Sequence, residues 1–169
     1  MQAYLHIPFC RQRCSYCRFA LDPRPNTAKI AKYLAALKEE IQTYLSSHSN
    51  TPIETIYFGG GTPSVLSSKQ LSLLLDLFPI SQRAKDIEIT IECNPEDITK
   101  SYANDLVSLG CTRVSLGVQT MNDIGLQIIG RSISTTTLHA LEYLTHSGHR
   151  NINLDFILGL PDVKRGEIL

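Results

Sequence analysis

A chain of 169 residues, 43% of them hydrophobic, suits one domain with a real core, here spanning 1–169, and argues against disorder. Its 16 Lys and Arg balance 16 Asp and Glu, so no basic excess supports a nucleic-acid partner. No apolar run approaches the roughly 18 residues of a transmembrane segment, and the start lacks a basic, apolar leader, so a cytoplasmic protein is expected.

The first strand is predicted over Gln2–Ile7 and runs directly into a cysteine-bearing segment. A helix follows over Thr27–Ser47, with Ile30, Tyr33, Leu34, Leu37, Ile41, Tyr44 and Leu45 on one face and Asn26 or Thr27 as its cap. The second strand, 53–58, leads into a glycine run and a helix over 67–78 that Pro79 stops. After a third strand, 87–92, a helix from Thr99 stripes Tyr102, Leu106 and Leu109 ahead of Gly110. The fourth strand, 113–117, precedes a short helical turn over 122–129 and a longer helix over 135–147 with Gly148 as its C-cap. A fifth strand is predicted over 151–157.

No hairpin signal separates any adjacent pair of strands. Strands joined by helical crossovers imply an α/β fold, a parallel sheet with outer helices. The chain stops soon after its fifth strand, with an open edge and no closing helix. That is the layout expected of the first part of a longer protein.

The five cysteines are an odd number, unlike a secreted disulfide framework, and Cys10, Cys14 and Cys17 share one loop. Their C-x3-C-x2-C spacing can wrap one face of a [4Fe–4S] cubane and ligate three of its irons. The fourth iron is left without a protein ligand, the open position that cofactor binding needs. Zinc with His6 as fourth ligand would want a second ligand pair, which is missing. A ferredoxin would use C-x2-C-x2-C with a distant fourth cysteine. Arg11, Arg13 and Arg18 flank the thiols and are expected to lower their pKa values. His6, Cys93 and Cys111 read as packed structural residues.

C-x3-C-x2-C after the first strand of an α/β barrel resembles the radical S-adenosylmethionine (SAM) superfamily. Further motifs narrow the resemblance: Tyr4-Leu5-His6-Ile7-Pro8-Phe9-Cys10, Gly59-Gly60-Gly61-Thr62-Pro63-Ser64, Glu92-Cys93-Asn94-Pro95, 113–119 (RVSLGVQ) and 153–161 (NLDFILGLP). Together they resemble the oxygen-independent coproporphyrinogen III oxidase family, including its HemW-like haem-chaperone branch. The resemblance implies a partial (β/α) barrel of the radical SAM type, cut after its fifth strand. It implies that the free iron is chelated by SAM, whose reductive cleavage yields a 5′-deoxyadenosyl radical. It assigns SAM contacts to Tyr4, Tyr16, Gly60, Gly61, Thr62, Glu92, Gln119, Arg131 and Asp155. Glycines allow close backbone approach, and the Arg131 fork suits a carboxylate.

In the family's oxidases a further cysteine follows the triplet by two residues; here that position is Phe19. The departure favours the chaperone branch, whose members bind haem and pass it to an acceptor. The alternative is an oxidase decarboxylating the propionates of coproporphyrinogen III. Expected partners are haem or a porphyrin, an electron donor and a haem acceptor, none of which the motifs identify.

Overall fold

The computed structural model describes residues 1–49, 51–131, 134–161 and 163. In chain order these form β1 (Gln2–Ile7), β2 (Phe9–Cys10), β3 (Asp22–Pro23), α1 (Thr27–Ser47), β4 (Ile53–Gly60) and α2 (Ser68–Leu75). Then come β5 (Arg83–Cys93), α3 (Lys100–Ser108), β6 (Arg113–Gln119), α4 (Asp123–Ile128), α5 (Ser134–Ser147) and β7 (Ile152–Phe156). The five long strands make one sheet in the order β1-β4-β5-β6-β7, every neighbouring pair parallel. Each crossover thus returns the chain to the adjacent position, as short helical connections dictate. The α/β reading and the parallel sheet with outer helices hold.

Register explains why the two faces of the sheet differ. Leu5 pairs with Phe58, Phe58 with Ile91, Ile91 with Val114 and Val114 with Ile152, which makes one apolar row across the strands. With a side-chain period of two, the adjacent rows point to the opposite face. Those rows carry Tyr4, Tyr57, Thr90 and Arg113, and then Glu92, Ser115 and Asn153. The apolar face packs into a single core with Leu71, Leu74 and Leu75 of α2, Ala103 and Leu106 of α3, and Ala140 and Leu144 of α5. The polar face is left to build a site.

Helix ends follow local chemistry. Asn26 caps α1 by accepting from the Lys29 amide at 2.8 Å. Ser67 and Gln70 form a reciprocal capping box on α2. That helix ends at Leu75, earlier than its apolar stripe implies. Leu77 and Phe78 tighten into i→i−3 bonds, because the residue before Pro79 is disfavoured in the α region. Arg83 then donates to the carbonyls of Leu75 (2.7 Å) and Phe78 (3.1 Å), and with that anchor β5 starts at Arg83 rather than at 87. Tyr44 also departs from its expected place on the buried face of α1; it is exposed and stacks on His48. The two-residue strands β2 and β3 carry no periodicity and were not foreseen. Among the described residues no helix is long and apolar enough to cross a membrane.

Ile91, 0% exposed in the central strand, tests the core. Ile91→Ala is expected to destabilise the fold by about 2–5 kcal/mol, read by anaerobic denaturant unfolding of the full-length protein. A loss below about 0.5 kcal/mol, the level of a surface change, would contradict this packing.

Candidate functional site

The carboxyl ends of the strands in a parallel sheet converge on one rim, where side chains and loops are free to face a ligand. Here β4 ends in Gly59 and Gly60. A Cβ on Gly61 would sit 2.7 Å from the Phe9 carbonyl oxygen and 2.9 Å from that of Ile7, so only glycine lets β4 lie against the strand leading to the cysteines. Gly61 and Thr62 donate their amides to Ile7 and Phe9 at 2.8 and 2.7 Å. Gly60 has φ +113°, and the His6 ring packs against it.

The cysteine segment is held from outside itself. Just after it, Asp22 and Arg24 donate backbone N–H groups back to the carbonyls of Pro8 and Cys10, closing the loop at its base. Arg11 pairs with Asp97, whose side chain is 1% exposed and also accepts from the Ser64 hydroxyl at 2.6 Å. Gln12 donates to the Gly130 carbonyl. The Ser15 amide and hydroxyl donate to the carbonyls of Ile129 (3.4 Å) and Ile128 (3.2 Å). The carbonyls that end α4, without partners inside the helix, are therefore satisfied by the cysteine loop.

Arg131 is aimed by the same helix end. Gly130, with φ +73°, stands just past α4 and donates to Gln127, while Arg131 donates to Leu126 at 2.8 Å. This is a Schellman motif, and it turns the next residue back across the helix end. The Arg131 guanidinium donates through Nη1 to Asn94 Oδ1 (2.6 Å) and through Nη2 to the Tyr16 hydroxyl (3.1 Å). Its Nε is buried without a hydrogen-bond partner among the described residues.

The carboxylates and amide sit opposite. Glu92 accepts from the Tyr57 hydroxyl at 2.8 Å and from the Gly60 amide at 3.1 Å. Burial and that bond to Glu92 push the Tyr57 phenol up, so it stays a donor. Asp155 accepts from Ser115 (3.0 Å) and Asn153 (2.7 Å). Gln119 adopts φ +69°, which costs a non-glycine residue about 1–3 kcal/mol. The irregular pairing between β6 and β7 holds it there, with Ile157 donating to its carbonyl at 2.9 Å.

These groups surround one cavity of about 450 Å³, within the roughly 300–1,000 Å³ usual for small-molecule sites. Cys10, Cys14, Cys17 and Tyr16 line it from the loop; Gly60, Gly61, Thr62, Glu92, Gln119, Arg131 and Asp155 line it from the strand ends. Tyr4 is the one sequence-predicted residue the structure does not bring to the cavity. It is 60% exposed on β1, stacked on Tyr57 with ring centroids 5.8 Å apart. Tyr57, Asn94, Ser115 and Asn153 are absent from the sequence-predicted site; Tyr57, Ser115 and Asn153 each stand between two apolar residues on a strand, the one signal that could have flagged them, whereas Asn94 lies just past β5 and has none.

The loop arginines are not where the sequence placed their effect. Arg11 is taken by Asp97, Arg13 reaches the carbonyls of Phe19 and Leu21, and Arg18 is exposed. Burial pushes the Cys10 thiol up, and what pulls it back is the Thr62 hydroxyl and Arg131. Cys93 and Cys111 are buried and raised by desolvation, Cys111 to about 12, which keeps both as thiols.

All five cysteines are free. Among the described residues no three His, Cys, Asp or Glu side chains converge tightly enough to hold one metal ion. A four-iron cluster asks for a different arrangement, because each thiolate ends on a separate iron. Three cysteine sulfurs on one wall of the cavity suit that. A half-buried guanidinium with spare N–H groups, two carboxylates and a glycine cradle suit a small zwitterion.

A family model described as the radical SAM superfamily matches residues 4–169. The proteins named heme chaperone HemW from Lactococcus lactis and Bacillus subtilis are 38% and 34% identical to the chain, each over 94% of it. The chain spans 41% and 42% of their lengths, about two fifths of each relative. The solved coproporphyrinogen III oxidase (HemN) from Escherichia coli, a radical SAM enzyme, matches with a TM-score of 0.90 at 30% identity, covering 98% of this chain and 39% of that one.

The Asp97 anchor gives a direct test of the loop. Asp97→Ala strips Arg11 and Ser64 of their shared acceptor, a change worth about 1–3 kcal/mol. The full-length variant is expected to lose iron severalfold faster than the parent under an anaerobic chelator challenge. Equal rates would show that Asp97 does not hold the loop.

Proposed function

The chain belongs to the radical SAM superfamily, and on that premise we propose that it serves haem metabolism as a HemW-like haem chaperone, binding haem and passing it to an acceptor. The observation that carries this reading is Phe19, which occupies the place where the related oxidases are expected to hold a further cysteine. Phe19 is 64% exposed at the cavity rim. An aromatic ring there offers apolar contact to a flat macrocycle and no ligand to a metal. Likeness to HemW proteins along nearly the whole chain supports the same reading. The likeness to the HemN fold supports the second reading, decarboxylation of coproporphyrinogen III propionates.

Superfamily membership implies a [4Fe–4S] cluster and SAM. Cys10, Cys14 and Cys17 would hold three irons. When bound, the reduced cluster would supply one electron to the sulfonium of SAM, cleaving it to methionine and a 5′-deoxyadenosyl radical. The protein's own part is binding, orientation and proton management. Ligation requires thiolates, so Cys10 must lose a proton that burial makes it keep in the empty protein, and cluster loading releases it. Arg131, with two arms fixed on Asn94 and Tyr16, offers its remaining N–H groups to a carboxylate. Glu92 and Asp155, each oriented by two donors, offer their remaining lone pairs to an ammonium or to ribose hydroxyls. Gly60, Gly61 and Thr62 bring the backbone close, and Gln119 and Tyr16 add polar contacts. A low-potential electron donor and a haem acceptor complete the scheme, which we place in the cytoplasm.

The full-length protein distinguishes the two readings under anaerobic conditions. Titration with haem is expected to give saturable binding, with no protoporphyrinogen formed from coproporphyrinogen III in the presence of SAM and reductant. Turnover to protoporphyrinogen without haem binding would reverse the assignment.

A further inference from the structure

One hydrogen-bond chain in the cavity wall has a polarity that can be derived atom by atom. Arginine carries only N–H donors, so the Asn94 atom 2.6 Å from Arg131 Nη1 must be the amide oxygen. The other end of the Asn94 amide is then NH2, and it lies 3.3 Å from the Thr62 hydroxyl. Thr62 Oγ1 therefore accepts from Asn94 and keeps its own proton to give away. Its remaining neighbour is Cys10 Sγ at 3.1 Å. As a cluster ligand Cys10 is a thiolate, an acceptor only, so the last link is O–H···S. Every donor in the series Arg131, Asn94, Thr62 points toward the sulfur. Thr62 is buried, and the Asn94 backbone is fixed by its amide donating to Ser64 Oγ at 3.1 Å.

We propose that Asn94 is a positioning residue for the cluster: it turns the Thr62 hydroxyl onto the Cys10 sulfur and so raises the reduction potential. A hydrogen bond to a ligating sulfur stabilises the more electron-rich state, and potentials of such clusters follow these bonds. The positive charge of Arg131 at the head of the chain polarises it in the same sense. Arg131 is also the group proposed above to receive a carboxylate. Neutralising that charge weakens the polarisation, so occupancy of the cofactor site and the electronics of Cys10 share one set of atoms.

The inference presupposes the three-thiolate cluster, and its test separates the two. Full-length, cluster-loaded protein without SAM is poised near the parent's midpoint potential, and the reduced-cluster paramagnetic resonance signal is measured. Thr62→Val, which keeps the shape and loses the hydroxyl, is expected to lower the signal about threefold or more, and Thr62→Ser to restore it. Asn94→Leu is expected to lower it in the same direction. Because Asn94 acts through Thr62, the double variant should fall no further than Thr62→Val alone. A potential unmoved by either single variant, or strictly additive effects, overturns the relay while leaving the cluster in place. If Asn94→Leu loads no iron, Asn94→Ser replaces it under the same criteria. A parent protein that holds no iron overturns both the relay and the cluster.

Discussion

A short loop bearing three thiols buries too little to hold its own shape, so its geometry has to be imposed from outside. In this chain the residues between the cysteines do that work. Arg11 reaches a buried carboxylate beyond β5, Gln12 and Ser15 satisfy the last carbonyls of α4, and Tyr16 meets Arg131. The x positions of C-x3-C-x2-C are thus not filler. They clamp the loop to two elements far away in sequence, and those elements are positioned by the sheet. Fix the loop and the cavity follows; release it and Cys10, Cys14 and Cys17 lose their common wall.

The same arrangement explains how a chain of zero formal charge makes a charged site. Burial raises the cost of an ion, and each ion in the cavity wall is answered by a specific donor or acceptor. Glu92 has Tyr57 and Gly60; Asp155 has Ser115 and Asn153; Arg131 has Asn94 and Tyr16. Each group is partly satisfied and keeps capacity for a ligand, and Arg131 Nε, without a partner among the described residues, is the clearest case. Strain at Gln119 and the glycine contacts at β4 are further departures from an idealised strand end, and they fall on the same rim.

How much of this could be read beforehand varies with the physics involved. Sheet and helices followed from periodicity, and Asn26 as a cap from its side chain, because those signals are local. The cavity lining was legible through motifs that carry Glu92, Gln119 and Asp155, and through the family resemblance that added Arg131; the structure brings all four to one place although they sit on different elements. What escaped was set by tertiary contact. The strands β2 and β3 exist only because the loop closes on itself. Asn94 enters the sequence reading only as part of the Glu92–Pro95 motif, yet it joins Arg131 to Thr62. The loop arginines were adjacent to the thiols in sequence, but Asp97 and nearby carbonyls claim Arg11 and Arg13. Tyr4 stacks on Tyr57, which bonds Glu92, and neither ring lines the cavity.

The central claim is that Cys10, Cys14 and Cys17 leave one iron of a four-iron cluster open to SAM. Its most direct measurement is the paramagnetic resonance spectrum of the anaerobically purified, reduced full-length protein, taken with iron and sulfide content, before and after adding SAM. The account predicts close to four irons per chain and a changed spectrum on addition, both lost in Cys14→Ser. Zinc in place of iron, or a full cluster whose spectrum ignores SAM, would contradict it.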